Sequence, residues 1–365
     1  MRSWKRSVVA AGRTSEEWFD RLRFGLKRWT GRIGPVEILP YRGHGTRERL
    51  FLKGRVLETP GLKPSSAGDS RRRNLRNMAR RFFSSEVPHA RVRASHGRYE
   101  TEVTADEEGF FDVRLELAQP LKGETDWYPV QIEVAWPRSE RGARATGSVL
   151  VPTGARFGVV SDLDDTVVYS SATNLLRMAR ITLLSNAHTR LPFEGVAAFY
   201  RALQRGRSGG ERNPIFYVSN GPWNLYDMIE ELFDVHGIPG GPLFLRDWSP
   251  TKLQDHGEHK LGVIRTLLAT YPDLPFVMIG DSGEQDPEIY RRIVYEHPDR
   301  ILAVYIRDVT TPERDAEVRK ISKELLDLGV EMLLTSGTAE AAGHAEGLGL
   351  VPPAAARGVE SGSGH

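Results

Sequence analysis

Residues 157–166 end in the side chains of this chain that are best suited to chemistry. The run Phe157-Gly-Val-Val-Ser-Asp-Leu-Asp-Asp-Thr166 places two carboxylates, Asp162 and Asp164, and the hydroxyl of Thr166 after an apolar stretch. Such a stretch predicts a buried strand of a parallel sheet, and ligands of these sheets bind just beyond the carboxyl ends of the strands. The alternative is a strand that merely runs into an acidic turn, and this segment alone does not decide between the two.

Three later segments carry polar groups close to further predicted strands. The second strand is followed by Ser219 and Asn220, a helix opens near Lys260, and the fourth strand is followed by Asp281 and Asp286. Because the carboxyl ends of parallel strands lie along one edge of a sheet, these groups are expected to surround one site.

This set of residues fits the attack of a nucleophile on a phosphate monoester, in which one anion must approach another. A divalent cation and a lysine neutralise that repulsion, and oxygen ligands such as Asp162 and Asp281 suit Mg²⁺. A carboxylate can form an acyl phosphate, and a second carboxyl can protonate the leaving alcohol and then activate water. No Gly-rich phosphate loop is present, so cleavage of nucleoside triphosphates is not indicated.

The four segments, taken in order, resemble the four motifs of the haloacid dehalogenase superfamily. The matching residues are Asp162-Leu-Asp-Asp-Thr166, Ser219, Lys260 and Gly280-Asp281 with Asp286. The flanking residues 217–226, 241–248 and 279–290 are similar to the catalytic domain of actin-patch-type phosphatidate phosphatases. This similarity covers residues 150–335, and the four motifs are specific only as a set.

The resemblance implies catalytic and metal-binding roles at the acidic positions. Asp162 would be the nucleophile that becomes aspartyl-phosphate, and Asp164 would be the general acid and base. Thr166 would orient this pair of aspartates. Mg²⁺ would be held by Asp162, the backbone carbonyl of Asp164 and Asp281, with Asp286 behind them or acting through water.

The resemblance also implies which residues meet the substrate. Ser219 and Lys260 would hold the transferring phosphoryl group, and Asn220 lies in the same turn as Ser219. Arg246 follows the third predicted strand, where it could meet a head group, although a plain surface role fits its position equally well.

The elements that must position these residues differ between the two halves of the chain. Residues 153–336 alternate apolar strands with helices, which predicts an α/β domain with a doubly wound parallel sheet, HAD-like by the resemblance. Residues 35–152 hold seven short strand-like runs, which predicts a mainly β, sandwich-like accessory domain that includes a basic helix near residues 71–83. An amphipathic helix is expected over residues 1–34, and a disordered tail over residues 337–365.

The charges of the 365 residues are unevenly distributed. Residues 1–150 carry 29 Lys and Arg against 19 Asp and Glu, a net charge of +10, whereas the remainder has a net charge of −8. The arginines within residues 71–81 could contact an anionic membrane, or they could be the solvated face of a helix. No nucleic-acid-reading motif is present, so no nucleic-acid partner is expected.

The chain contains no cysteine and no apolar run that approaches ~20 residues, so we expect a cytoplasmic protein that could be peripheral at a membrane. The favoured hypothesis is a Mg²⁺-dependent phosphatase that converts phosphatidate to diacylglycerol. A phosphatase of the same type acting on a soluble phosphometabolite or a phosphoprotein is the main alternative. A non-catalytic binding module is the third, and the oligomeric state is left open.

Overall fold

The computed structural model describes residues 35–58, 85–123, 125–137, 142–163, 195–246 and 256–353, together with residues 355 and 359. Several predicted features lie outside these ranges: the N-terminal helix, the basic residues 71–81, and Asp164, Asp165 and Thr166. What the sequence indicates about them stays a prediction. None of the helices in the described ranges has the length and apolar character needed to cross a bilayer.

The first part of the chain folds into nine mainly antiparallel strands. They are β1 Val36–Pro40, β2 Gly43–Gly45, β3 Arg49–Glu58, β4 Ser85–Glu86, β5 Arg91–His96, β6 Tyr99–Thr104, β7 Phe110–Glu116, β8 Trp127–Trp136 and β9 Arg144–Leu150. The order is β1-β3-β2-β9-β8-β5-β6, with β4 and β7 paired to β3. The strands therefore form one hydrogen-bonded network, not the two separate sheets that a sandwich implies. Below, this part is called the β domain.

Alternating side chains build the core of the β domain. In β7, Val113 and Leu115 are buried, whereas Asp112, Arg114 and Glu116 are exposed. This pattern follows from the period of two along a strand, and it places the apolar side chains on one face. That face packs into a hydrophobic core with residues of the other strands, including Leu52, Val92, Val130 and Val149.

The second part of the chain is α/β, as the sequence predicts, and contains six parallel strands. They are β10 Gly158–Asp162, β11 Ile215–Pro222, β12 Leu243–Arg246, β13 Phe276–Asp281, β14 Ile301–Arg307 and β15 Glu331–Thr335. Their order in the sheet is β12-β11-β10-β13-β14-β15. Each predicted strand is found within a few residues of its expected position, because fully buried parallel strands appear as short continuous apolar runs.

In the described part of the chain, six α-helices accompany this sheet and cover both of its faces. They are α1 Val196–Arg205, α2 Tyr226–His236, α3 His256–Thr270, α4 Asp286–Glu296, α5 Pro312–Leu326 and α6 Thr338–Gly347. Neighbouring side chains on a strand point to opposite faces, so Val159 packs in the core with α1, α2 and α6. Val160 packs in the other core, with α3, α4 and α5.

The prediction of a disordered tail from residue 337 is wrong for the first part of that segment. Residues Thr338–Gly347 form α6, with Ala341, Ala342 and Ala345 buried, and Leu350 and Val351 are also buried. The Gly- and Ala-rich composition of this segment is typical of disordered chains. The physical reason for order is a narrow stripe of alanines, which lets this helix pack closely on the sheet.

Candidate active site

The order of the strands creates a crevice beside β10. This first strand of the sheet lies between the second, β11, and the fourth, β13. The chain therefore adds strands on one side of β10 and then on the other, and the carboxyl ends of strands at such a reversal form the ligand site of α/β sheets. Asp162 is the last residue of β10 and Asp281 is the last residue of β13, so the topology brings these two carboxylates together.

Three carboxylates form a buried cluster in this crevice. Oxygen atoms of Asp162, Asp281 and Asp286 all lie within 4.8 Å of one another. Asp286 is the first residue of α4 and is fully buried, and its Oδ2 accepts a hydrogen bond of 3.2 Å from the backbone N–H of Asp281. Gly280 permits this close approach, since a Cβ at that position would lie 2.3 Å from Asp286 Oδ2.

Lys260 is the cation inside this cluster. Its side chain is 1% exposed, its Nζ lies 2.7 Å from Asp162 Oδ1, and it also contacts Asp286 Oδ1. Lys260 is the fifth residue of α3, which begins at His256, so the lysine lies one turn inside the helix and not at its opening as the sequence predicted. Within the described residues, Lys260 pairs with two of the three buried carboxylates, those of Asp162 and Asp286.

Burial and the neighbouring charges both act on the carboxyl of Asp286. Burial raises the pKa of its carboxyl well above the usual value, and the nearby carboxylates of Asp162 and Asp281 raise it further, while Lys260 opposes the shift. A divalent cation would act in the same direction as the lysine. The donor set consists of carboxylate oxygens only, which fits Mg²⁺.

Ser219 and Asn220 lie on the other side of Asp162. Asp162 pairs in register with Val218 of β11, so Ser219 is one residue further along the neighbouring strand. Ser219 is buried, and its Oγ accepts a hydrogen bond of 2.9 Å from the N–H of Gly221. The structure thus brings the predicted phosphate-binding turn to the same edge of the sheet as the carboxylates.

Glu284 connects the two sides of the site, and the sequence analysis missed it. Its Oε2 lies 3.3 Å from Asn220 Nδ2 and 3.4 Å from Lys260 Nζ. Glu284 therefore occupies the donors expected to receive phosphoryl oxygens. The signal for this residue in the sequence is an additional acid between Asp281 and Asp286.

The loop that carries Asp281 and Glu284 is held from outside the site. Asp281 Oδ1 accepts hydrogen bonds from the N–H groups of Gly283 and Glu284, at 2.7 and 3.0 Å. Arg314 of α5 donates to the carbonyls of Ser282 and Glu284, at 3.1 and 3.0 Å. The Arg314 guanidinium is fixed by a two-point ion pair with the carboxylate of Glu288, at 2.6 and 2.8 Å. This contact is not predictable from local sequence patterns, because the partners are far apart along the chain.

Arg246 is not a surface residue, so that part of its sequence interpretation is wrong. It is the last residue of β12 and is 6% exposed. β12 is separated from β10 by β11, and Arg246 pairs in register with Pro222. Arg246 therefore lies at the site edge of the sheet, on the far side of Ser219, and a contact with substrate stays a prediction.

An apolar cleft begins beside Asp162 and Asp281 and extends between the sheet and the helices of one face. The hydroxyls of its three lining tyrosines are bonded to other protein groups, whereas Arg307, Thr335 and Thr338 add polar groups to the lining. The apolar and aromatic residues of the lining include Val196, Phe199, Tyr200, Tyr217, Phe233, Ile238, Tyr305 and Ala341.

Comparisons with known proteins agree with the geometry of this domain. Residues 157–308 match the family model described as phosphatidate phosphatase APP1, catalytic domain. Phosphatidate phosphatase APP1 of Saccharomyces cerevisiae is 28% identical over 222 residues, which cover 57% of this chain and 37% of that protein. An uncharacterized protein of Schizosaccharomyces pombe is 30% identical over 166 residues, covering 44% of this chain and 26% of that protein.

These matches confirm the prediction of a phosphatase-type catalytic domain, that of a phosphoric monoester hydrolase. The chain matches well under two thirds of the length of each relative. Among solved structures, a carbohydrate acetylesterase from Xanthomonas citri has a TM-score of 0.28 at 14% identity, over 80% of this chain and 66% of that one. A similarity that low carries no argument about fold or function.

Proposed function

We propose that this protein is a Mg²⁺-dependent phosphatase that cleaves a phosphomonoester through an aspartyl-phosphate intermediate, with phosphatidate as the favoured substrate. The observation that carries this proposal is the buried cluster of Asp162, Asp281 and Asp286 with Lys260 at the reversal of strand order. The haloacid dehalogenase resemblance of the motifs supports it.

Asp162, Asp281 and Asp286 would hold Mg²⁺ together with the backbone carbonyl of Asp164, which lies outside the described residues. When bound, the ion would offset the negative charge of the phosphoryl group and of the carboxylates around it. The same three side chains would otherwise repel an incoming phosphate, so the cluster needs a cation to serve this reaction.

The first step is attack of an Asp162 carboxylate oxygen on phosphorus. A bond forms between that oxygen and phosphorus while the bond from phosphorus to the alcohol oxygen breaks, and Asp164 donates its proton to the leaving oxygen. Lys260 contacts the attacking carboxylate at 2.7 Å. Ser219, Asn220 and Lys260 would bind the remaining phosphoryl oxygens.

The second step regenerates the protein. Asp164 removes a proton from water, the water oxygen attacks phosphorus, and the bond from phosphorus to Asp162 breaks to release inorganic phosphate. Glu284 must give up its contacts with Asn220 and Lys260 before phosphoryl oxygens can use those donors. Its movement is therefore part of substrate binding.

Phosphatidate is favoured by the similarity to phosphatidate phosphatases. The net charge of +10 on residues 1–150 would favour approach to an anionic lipid surface.

The test is a phosphate-release screen with Mg²⁺, using phosphatidate in mixed micelles, soluble phosphometabolites and phosphopeptides. The Asp162→Asn protein is the blank, because an amide cannot attack phosphorus while the shape of the side chain is retained. Release from phosphatidate alone supports the proposal. Turnover of soluble monoesters without phosphatidate turnover would reject the lipid substrate, and release that survives Asp162→Asn would reject the mechanism.

A further inference from the structure

The segment that follows the predicted phosphate-binding turn lies against the β domain. Ser219 and Asn220 are near the end of β11, which continues to Pro222. A short 3-10 helix, Trp223–Leu225, follows, and α2 begins at Tyr226. A few residues therefore separate the turn from a contact with the other part of the chain.

Aromatic stacking forms the first part of this contact. The ring of Tyr41, between β1 and β2, stacks on that of Trp223, with centroids 4.6 Å apart and planes inclined by 18°. The backbone N–H of Arg42 donates a hydrogen bond of 2.8 Å to the hydroxyl of Tyr226. The Arg42 guanidinium also pairs with Glu230 of α2 at 2.8 Å.

Arg55 of β3 forms the second part and is 7% exposed. Its Nη1 donates to Asn224 Oδ1 at 2.7 Å, its Nη2 pairs with Glu86 at 3.0 Å, and its Nε donates to the carbonyl of Glu108 at 2.9 Å. The guanidinium carbon also lies 4.4 Å from the centre of the Phe110 ring. All three nitrogens are engaged, so the orientation of this planar group is fixed within the β domain before it meets Asn224.

The contact reaches the turn through a short and buried stretch of chain. Trp223 and Leu225 are 8% and 5% exposed and belong to the core that lies under α1 and α2. At the other end, the Ser219 hydroxyl is bonded to the N–H of Gly221. The segment between Asn224 and Asn220 is short and packed, so a shift of Asn224 is passed on to Asn220.

We propose that Arg55 is a positioning residue for the reaction, which makes the β domain a part of the active-site support and not only a targeting or oligomerisation module. Through Asn224, it sets the position of Ser219 and Asn220 relative to the carboxylates. The proposal rests on the proposed function in one respect, which is that Ser219 and Asn220 bind the phosphoryl group. Misplacement of a binding group by ~1 Å can lower the rate on the order of 10²-fold.

The experiment uses the full chain and a soluble chromogenic phosphomonoester with Mg²⁺, with inorganic phosphate as the competing probe. Arg55→Met removes the donors, and Asn224→Ala removes the acceptor from an exposed residue, so the second variant is expected to fold even if the first does not. Arg93→Met is the matched control, because Arg93 pairs with Glu102 and Glu133 at the surface of β5.

We expect Arg55→Met and Asn224→Ala each to raise both KM and the inhibition constant of phosphate by about tenfold. Adding Asn224→Ala to Arg55→Met should raise neither further, because the contact between Arg55 and Asn224 is already lost in Arg55→Met. Arg55→Lys should not rescue the defect, since an ammonium cannot reproduce the three-donor fork. Simple loss of folded protein would lower the apparent kcat without changing KM. A KM and a phosphate affinity equal to those of Arg93→Met would overturn the proposal while leaving the proposed function in place.

If no substrate releases phosphate, the proposed function fails, and hydrogen exchange still decides the structural part. Amide protection over residues 219–226 should then fall in Asn224→Ala and Arg55→Met but not in Arg93→Met. Unchanged protection in this segment would overturn the positioning role without reference to activity.

Discussion

Replacement of Lys260 by methionine tests the electrostatic balance of the site. Methionine retains much of the volume of the lysine side chain but removes the cation that contacts Asp162 and Asp286. The three carboxylates of the cluster would then have no buried basic side chain of this helix beside them. Both stability and activity should respond.

The magnitude follows from burial. Lys260 is 1% exposed and its two aspartate partners are 3% and 0% exposed, so their charges are screened little by water. Removal of one partner from a buried ion pair costs about 3–5 kcal/mol of the free energy of unfolding. Lys320→Met on the exposed side of α5 is the control, for which a change within about 0.5 kcal/mol is expected.

The dependence on pH has a definite sign. Loss of the lysine removes an interaction that lowers the pKa of Asp286, so that pKa rises further above its unfolded value. A carboxyl with a raised pKa in the folded state gives its full stabilising contribution below the unfolded pKa and loses it as the pH rises through the folded pKa. The deficit of Lys260→Met should therefore shrink toward acid pH.

The assay is urea unfolding in EDTA across a series of pH values, followed by the same measurement with Mg²⁺ and by phosphate release. Lys260→Met should release phosphate more slowly by at least on the order of 10²-fold, which is the usual effect of losing one contact to the transition state. The reasoning is refuted if Lys260→Met in EDTA is as stable as Lys320→Met, or if its deficit grows toward acid pH.

Other changes test the remaining parts of the site. Glu284→Gln removes a negative charge from donors expected to hold the phosphoryl group, so the inhibition constant of inorganic phosphate should fall several-fold; weaker phosphate inhibition would contradict this role. Gly280→Ala places a Cβ 2.3 Å from Asp286 Oδ2 and should raise the Mg²⁺ concentration for half-maximal activity and lower Tm, whereas Gly262→Ala, with open space at its Cβ, should change neither. Neutralising the arginines within residues 71–81 should abolish salt-sensitive sedimentation with anionic liposomes, to which each contributes ~1 kcal/mol; wild-type binding that is absent or insensitive to salt would exclude this surface.

The sequence predicted the parallel sheet and the approach of Asp162 to Asp281 for a physical reason. Apolar runs mark buried strands, and the carboxyl ends of parallel strands lie on one edge, so acids that follow such runs must be neighbours. The bridge from Glu284 to Asn220 and Lys260 was not predictable in this way. The bridge depends on the directions of side chains from three separate segments, and the local pattern of one segment does not predict its contacts with another.

The same limit applies to the contact between the two parts of the chain. Arg55 and Asn224 are 169 positions apart, and neither belongs to a recognisable motif. The helix over residues 338–347 was missed for another reason, because its buried face consists of alanines that carry little hydrophobic signal. Composition alone cannot distinguish such a helix from a disordered segment.

The contact along β12 has a consequence for any attempt to produce the catalytic part by itself. β12 is an edge strand of the six-stranded sheet, and the ring of His44 from the β domain lies 5.2 Å from that of Phe244 in this strand. A fragment that begins at residue 157 and keeps the rest of the chain would retain all six strands of this sheet but would uncover this edge together with Trp223 and Tyr226. Unprotected edge strands pair with strands of other molecules and aggregate. Insolubility of that fragment would therefore reflect the loss of the β domain that covers β12, and not a defective fold of the α/β part.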